Sequence, residues 1–200
     1  GPHIVAAPDQ GVGAMQEAVD EAISAAMRMI LQHPDFQAVE STWRSVDMLA
    51  RRIETDHTLD IVLFDVSAEE MAADLTQDEP GLKELLEDEG FTALFGLYTF
   101  EETPPHADLL GRIARFAASV NAPFFTSVTP AYLDTKKQSR HPLVAQAWDD
   151  LRAMPEAGFL GVASPRFMLR RPYGAKSEPI YEFEFEEFTM TEGLKGMLWA

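Results

Sequence analysis

The chain contains no cysteine, which rules out disulfides, thiolate metal sites and a cysteine nucleophile, and is compatible with a reducing compartment. Basic side chains are scarce: 16 Lys and Arg stand against 33 Asp and Glu, leaving a formal charge of −17 at pH 7. Such an excess repels nucleic acid and anionic lipid, so no nucleic-acid partner is expected. No apolar run is long enough to span a bilayer, and the first residues lack a signal-peptide pattern; a soluble chain without membrane insertion is predicted. Signatures of chemistry are missing as well. His3, His33, His57, His106 and His141 are scattered and form no HxH or HExxH arrangement. Ser164 sits in VASPR rather than in a GxSxG elbow, and Ser127 and Ser177 have no better context. Gly11-Val12-Gly13 and the glycines at 193 and 196 make no phosphate-binding loop. The adjacent carboxylates Glu69/Glu70 and Glu186/Glu187 point apart on a helix or strand and cannot flank one substrate. No catalytic, cofactor or metal residue is assigned, and the chain does not read as an enzyme.

What is present suits one domain with a substantial core: 200 residues, 46% of them hydrophobic. Gly1-Pro2-His3 without an initiating Met reads as the scar of a cleaved tag, and residues 4–13 as a lead-in, leaving 14–200 as a single α/β domain. From Ala14, Met15, Val19, Ile23, Met27 and Ile30 recur about four apart, as on one face of a helix that ends before His33-Pro34. A second amphipathic helix follows, with Phe36, Val39, Trp43, Val46, Ala50 and Ile53 on its stripe. The near-continuous apolar runs LDIVLFDV (59–66), FTALFGLYTF (91–100), APFFTSV (122–128) and FLGVA (159–163) predict strands covered on both faces. Between them, Ser67-Ala68-Glu69-Glu70 has capping-box spacing, a short charged helix fits Leu82–Glu89, and helical periods carry Leu109, Leu110, Ile113, Phe116, Ala117 and Val120, then Leu143, Val144, Ala147, Trp148 and Leu151. Strands alternating with helices predict a layered α/β fold with a mixed, partly parallel central sheet flanked by helices. Trp43 and Trp148 are expected in the core, and Trp199 at an interface.

Two charged features point outward. In IYEFEFEEF (180–188), Tyr181, Phe183 and Phe185 alternate with Glu182, Glu184 and Glu186, predicting a strand with one wet, acidic face or a docking rail. Against the net charge, Arg166, Arg170, Arg171 and Lys176 crowd into eleven residues. Two readings stay open for that cluster: internal pairing with acidic side chains, worth about 0–1 kcal/mol per exposed pair, or a positive patch that meets an acidic neighbour. The candidate partner-facing residues are therefore Arg166, Arg170, Arg171, Lys176, Glu182, Glu184 and Glu186.

Two segments carry a family resemblance. The first, HPDFQAVESTWR, supplies His33, Pro34, Phe36, Gln37, Glu40, Trp43 and Arg44; the second supplies Pro165-Arg166, Leu169-Arg170, Pro172-Tyr173-Gly174, Phe183, Phe185 and Glu186-Glu187. With Ala122-Pro123-Phe124 and Thr129-Pro130 between them, the chain resembles the large subunit of the contractile tail sheath of bacterial type VI secretion systems, the family also called TssC, VipB, EvpB or ImpC. That resemblance implies a cytoplasmic, bacterial structural protein that assembles with a small sheath subunit and further copies of the full-length large subunit, with the inner tube and the baseplate as further candidate partners. It also implies that the chain corresponds to the middle of a longer subunit, without the arm and C-terminal portion through which sheath subunits interlace. Two other readings remain: a non-polymerising adaptor or baseplate-associated relative of the sheath, and a small-ligand or enzyme domain with a pocket at the strand C-termini.

Overall fold

The computed structural model describes residues 10–75, 81–129, 136, 139–164, 167–190 and 197–199. The chain divides into two compact units, Thr55–Arg166 and the pair of segments Gly1–Glu54 and Phe167–Ala200. Nothing in the apolar periodicity marks this division.

The unit Thr55–Arg166 holds the layered α/β fold. Strands β1 (Leu94–Phe100), β2 (Phe124–Val128) and β3 (Leu160–Ala163) form a parallel sheet in the order β1-β2-β3, with Leu94 opposite Phe124 and Phe124 opposite Leu160. Parallel strands need crossovers, which helices α5 (Pro104–Ser119) and α6 (Pro142–Ala153) supply, the second followed by a 3-10 turn at Pro155–Phe159. Helix α5 opens on two prolines, which suit a first turn whose N–H groups have no partner in any case. Its Leu110, Ile113 and Ala117 are fully buried, packed with Phe100, Phe124, Val128, Trp148 and Leu151. Each such large side chain contributes about 1.5–3 kcal/mol of transfer free energy. Helices α3 (Ala68–Asp74) and α4 (Leu82–Glu89) precede the sheet. The capping box at the start of α3 is formed in both directions: Glu70 N–H donates to Ser67 Oγ (3.1 Å) and Ser67 N–H to Glu70 Oε2 (2.8 Å). Hydrogen bonding from the Ser67 N–H, and then from the Ser67 hydroxyl, holds the Glu70 carboxyl below its usual pKa. Gly90 ends α4 with φ +68°, a left-handed cap that glycine adopts without steric cost.

Three of the four expected strand runs are strands, and the first is not. Residues 60–66 pair with no strand among the described residues, and Val62 and Leu63 are exposed. Phe64 packs edge-on against Phe91 (5.6 Å), and the Val66 carbonyl accepts from Tyr98 Oη (2.6 Å). A run of apolar residues signals burial only where a ladder partner and a covering layer exist; this segment has no ladder partner among the described residues, and of the run Val66, at its end, packs against the core. The sheet is also covered unequally. Phe95, Leu97 and Phe125 alternate away from the α5 core and are exposed, with the Phe95 and Phe125 rings stacked at 5.2 Å. Leu143, on the apolar period of α6, is exposed too.

The other unit contains α1 (Gln10–Leu31), α2 (Pro34–Arg52) and an antiparallel pair, β4 (Met168–Arg170) and β5 (Leu198–Trp199). Helix α1 begins inside the expected lead-in, at Gln10. His33 caps α2 by accepting from the Asp35 N–H at its Nδ1 (3.3 Å), with Pro34 in the first turn. The expected strand over 180–188 is an irregular extended segment with no ladder partner among the described residues. Its alternation holds only from Glu182 onward: Glu182, Glu184 and Glu186 face out, Phe185 and Glu187 are buried and Phe183 is half-buried, whereas Tyr181, expected on the aromatic side, is exposed.

Candidate interaction site

The two segments that carry the family resemblance meet in a buried ionic network inside this second unit. Arg170 donates from Nε to Glu40 Oε1 (2.7 Å), from Nη1 to Glu187 Oε2 (2.7 Å) and the Arg171 carbonyl (3.2 Å), and from Nη2 to Glu187 Oε1 (3.0 Å) and Glu40 Oε2 (3.2 Å). Every N–H of the guanidinium is thereby used. Its plane also lies over the Tyr173 ring at 4.5 Å, a cation–π contact in a desolvated setting. Glu187 has 0% exposure and Arg170 5%. Glu187 Oε2 further accepts from the Tyr173 N–H (2.8 Å), and Arg44 bridges Glu40 (2.8 Å) to the Tyr173 hydroxyl (3.3 Å). Two guanidinium groups and two carboxylates thus close a neutral cluster with charge-assisted hydrogen bonds. Burial alone would lower the Arg170 pKa; hydrogen bonds and charge from Glu187 and Glu40 more than reverse this and hold it raised. For Glu40, burial pushes upward, but hydrogen bonds from Arg170 and Arg44 and their charges prevail, holding the carboxyl below its ordinary value.

Around this cluster the segment 171–190 is tied down by its own polar contacts. Ala175 N–H donates to Glu186 Oε1 (2.9 Å), the Glu186 carbonyl accepts from Arg28 Nη1 (2.8 Å), and Ser41 Oγ donates to the Trp199 carbonyl (2.7 Å). The Glu186 carboxylate closes over Gly174, so that a Cβ there would displace it.

The network reverses the expected orientation of α2. Its inward side carries the polar Glu40, Ser41, Arg44 and Ser45, buried or half-buried with Ser45 8% exposed, and only further along do Met48 and Leu49 become half-buried too. The apolar stripe faces solvent: Phe36 and Val39 are exposed and Trp43 is 66% exposed, so Trp43 is not in the core, while Val46 and Ile53 are half-buried. Helical periodicity identifies a stripe but not the direction it faces, and here the buried ion pairs take the inward side. Helix α1 also leaves apolar side chains in solvent. Residues 11–23 are exposed all round, and Val12, Met15 and Val19 line a shallow apolar depression with Gln16 and Asp20.

Of the partner-facing candidates, Arg170 is inside the molecule and takes the internal pairing that the sequence left open. Arg171 and Lys176 are exposed, as are Glu182, Glu184 and Glu186, and Arg166 lies outside the described residues. Glu40 and Glu187 had not been singled out as site residues, although both sit in the resembling motifs. In the other unit, a shallow depression by the ends of β2 and β3 is lined by Val128, Trp148, Leu151, Arg152 and Ser164, mostly apolar groups with one cation. Among the described residues no three His, Asp or Glu side chains lie close enough to hold a metal ion, and no helix is long and apolar enough to cross a membrane.

Comparison with known proteins places these features in a family. Residues 14–84 and 86–200 match the VipB family model, described as EvpB/VC_A0108, tail sheath N-terminal domain. The chain is 33% identical over 209 aligned residues to the type VI secretion system sheath protein TssC1 of Pseudomonas aeruginosa, covering 92% of this chain and 42% of that relative's length. The chain thus spans about two fifths of TssC1 and belongs to the EvpB/VC_A0108 tail sheath N-terminal domain family.

Proposed function

We propose that the chain is a structural part of a bacterial type VI secretion sheath, and that the outward apolar stripes of α1 and α2 are where it docks a small sheath subunit. The exposure of Phe36, Val39 and Trp43 on one helix face carries this reading, with Val12, Met15 and Val19 exposed on α1 as well. Large apolar side chains clustered on one face of a strongly acidic chain mark an interaction surface, because leaving them in water costs free energy that a partner recovers. Exposed charges give such a contact a polar rim that sets register and partner choice more than affinity. Arg171, Lys176, Glu182, Glu184 and Glu186 serve that role in this reading, with Arg166 assigned to it from the sequence alone. Further copies of the large subunit then build a cytoplasmic tube wall, in which repeated, partly polar interfaces with two arrangements close in energy allow contraction to propagate.

The test is co-purification with the small sheath subunit of the same system. Val39→Asp combined with Trp43→Asp should weaken capture by about 100-fold or more, as expected for charges placed in an interface centre, with far-UV circular dichroism unchanged. Undiminished capture by that variant would refute the assignment of the stripe.

A further inference from the structure

Over its N-terminal half, helix α2 sits with Phe36, Val39 and Trp43 in water and Glu40, Ser41, Arg44 and Ser45 turned to the protein, the reverse of what hydrophobic burial favours. Some interaction must hold it there. Its neighbours on the inner side are the β4/β5 pair and the segment after it, and the strongest bonds between them run from Glu40 to Arg170, 130 positions apart in sequence. The same guanidinium holds Glu187, so three chain segments converge on one side chain. Ser41 Oγ to the Trp199 carbonyl and Arg44 to the Tyr173 hydroxyl add polar contacts on the same side of the helix. No apolar side chain of the Phe36, Val39, Trp43 set contributes to this anchoring, since all three are exposed.

We propose that Arg170 is a positioning residue, a buried clamp that keeps α2 rolled with its apolar stripe outward and so keeps the docking surface on display. Buried ion pairs are weak sources of net stability but can select one arrangement among several, because every alternative leaves a charge without its partners. Rolling α2 about its axis would bury Phe36, Val39 and Trp43, which the hydrophobic effect favours, and would strip Glu40 from Arg170, which opposes it. The consequence for assembly rests on the docking role proposed for the stripe; the clamp itself does not.

The absence of cysteine permits a clean test by single-thiol labelling. Val39 and Ser45 lie on the outer and inner sides of α2, 60% and 8% exposed respectively. In the otherwise unchanged chain, V39C should react with a maleimide dye about as fast as an unstructured peptide, and S45C about 100-fold slower. The clamp is then removed by Arg170→Met with Glu187→Leu, which leaves no buried carboxylate unpaired because Glu40 keeps Arg44, and which makes the surface beneath α2 apolar. The proposal expects opposite changes in that background: V39C slowed and S45C accelerated, each by about tenfold or more, the signature of a shifted two-state equilibrium. Unchanged rates at both positions would overturn it, because α2 would hold its orientation without the clamp. Acceleration at S45C with V39C still fast would overturn it too, showing that Arg170 only holds the unit together. Failure of the docking assignment looks different: the labelling reversal would occur, but capture of the small subunit by the unmodified chain would not depend on Val39 and Trp43.

Discussion

The sharpest energetic consequence of the network is an order of stabilities among three variants. In Arg170→Met the Glu187 carboxylate, with 0% exposure, loses both guanidinium bonds and keeps only the Tyr173 N–H (2.8 Å), while Glu40 retains Arg44 (2.8 Å). One buried charge is left without compensation, which costs about 3–5 kcal/mol. That is a large fraction of the 5–15 kcal/mol or so that holds an ordinary domain folded. For a chain of this length it corresponds to a melting point lower by about 6–20 °C. Adding Glu187→Leu removes the stranded charge, so the double variant should recover most of the loss, since replacing a whole buried pair by apolar groups is often neutral or stabilising. Arg171→Met is the control: its side chain is exposed, and the change should stay within about 0.5 kcal/mol.

Urea titrations followed by far-UV circular dichroism, extrapolated linearly to water, measure all three. The expected ranking puts the single Arg170 variant far below the other two. A loss under about 1 kcal/mol for Arg170→Met would show that Glu187 is solvated in its absence and that the cluster is not a sealed site. A double variant as unstable as the single one would show that the cost lies in lost packing and backbone contacts rather than in the stranded charge.

Two further outcomes distinguish inner from outer positions. Leu110→Ala, at 0% exposure in the α5 core, should cost about 2–5 kcal/mol by the same titration, whereas Trp43→Ala, at 66% exposure, should cost under about 1 kcal/mol. Glu40 has its pKa held below the ordinary value near 4.5, so its contribution to stability is complete above that value and is lost as pH falls through the lower, folded-state pKa; melting points between pH 6 and pH 3 should fall less steeply for Glu40→Gln than for the parent, and parallel curves would refute the coupling.

How far the fold could be read in advance depended on whether the deciding contact was local. Helix α5 and strands β1 to β3 were legible because their apolar positions are dense and those on one side are consumed by a single core around Leu110, Ile113, Phe124 and Trp148, even though Phe95, Leu97 and Phe125 stay exposed on the other. The capping box at Ser67 and Glu70 was legible for the same reason, its two partners being three residues apart. The segment 180–188 was half legible. Period two placed Glu182, Glu184 and Glu186 outward correctly, but a strand also needs a neighbour, and alternation says nothing about one. Residues 59–66 failed on that same point.

The orientation of α2 was illegible for a stronger reason. The stripe of Phe36, Val39 and Trp43 is a property of a few helical turns, whereas the choice of inward face belongs to Arg170, 130 positions from Glu40. Counting apolar side chains assumes that the inward face is the apolar one, which holds only where the surface opposite is apolar too. Here that surface carries Arg170, Tyr173 and the Trp199 carbonyl, which Glu40, Arg44 and Ser41 of the helix meet by hydrogen bonds. The resembling motifs contain both halves of this match, since Glu40 and Arg44 lie in the first and Arg170, Tyr173 and Glu187 in the second. A charged residue at a fixed place in each of two distant motifs is the sequence signal that would have turned the helix the right way round, because a buried charge is tolerated only where its partner is supplied.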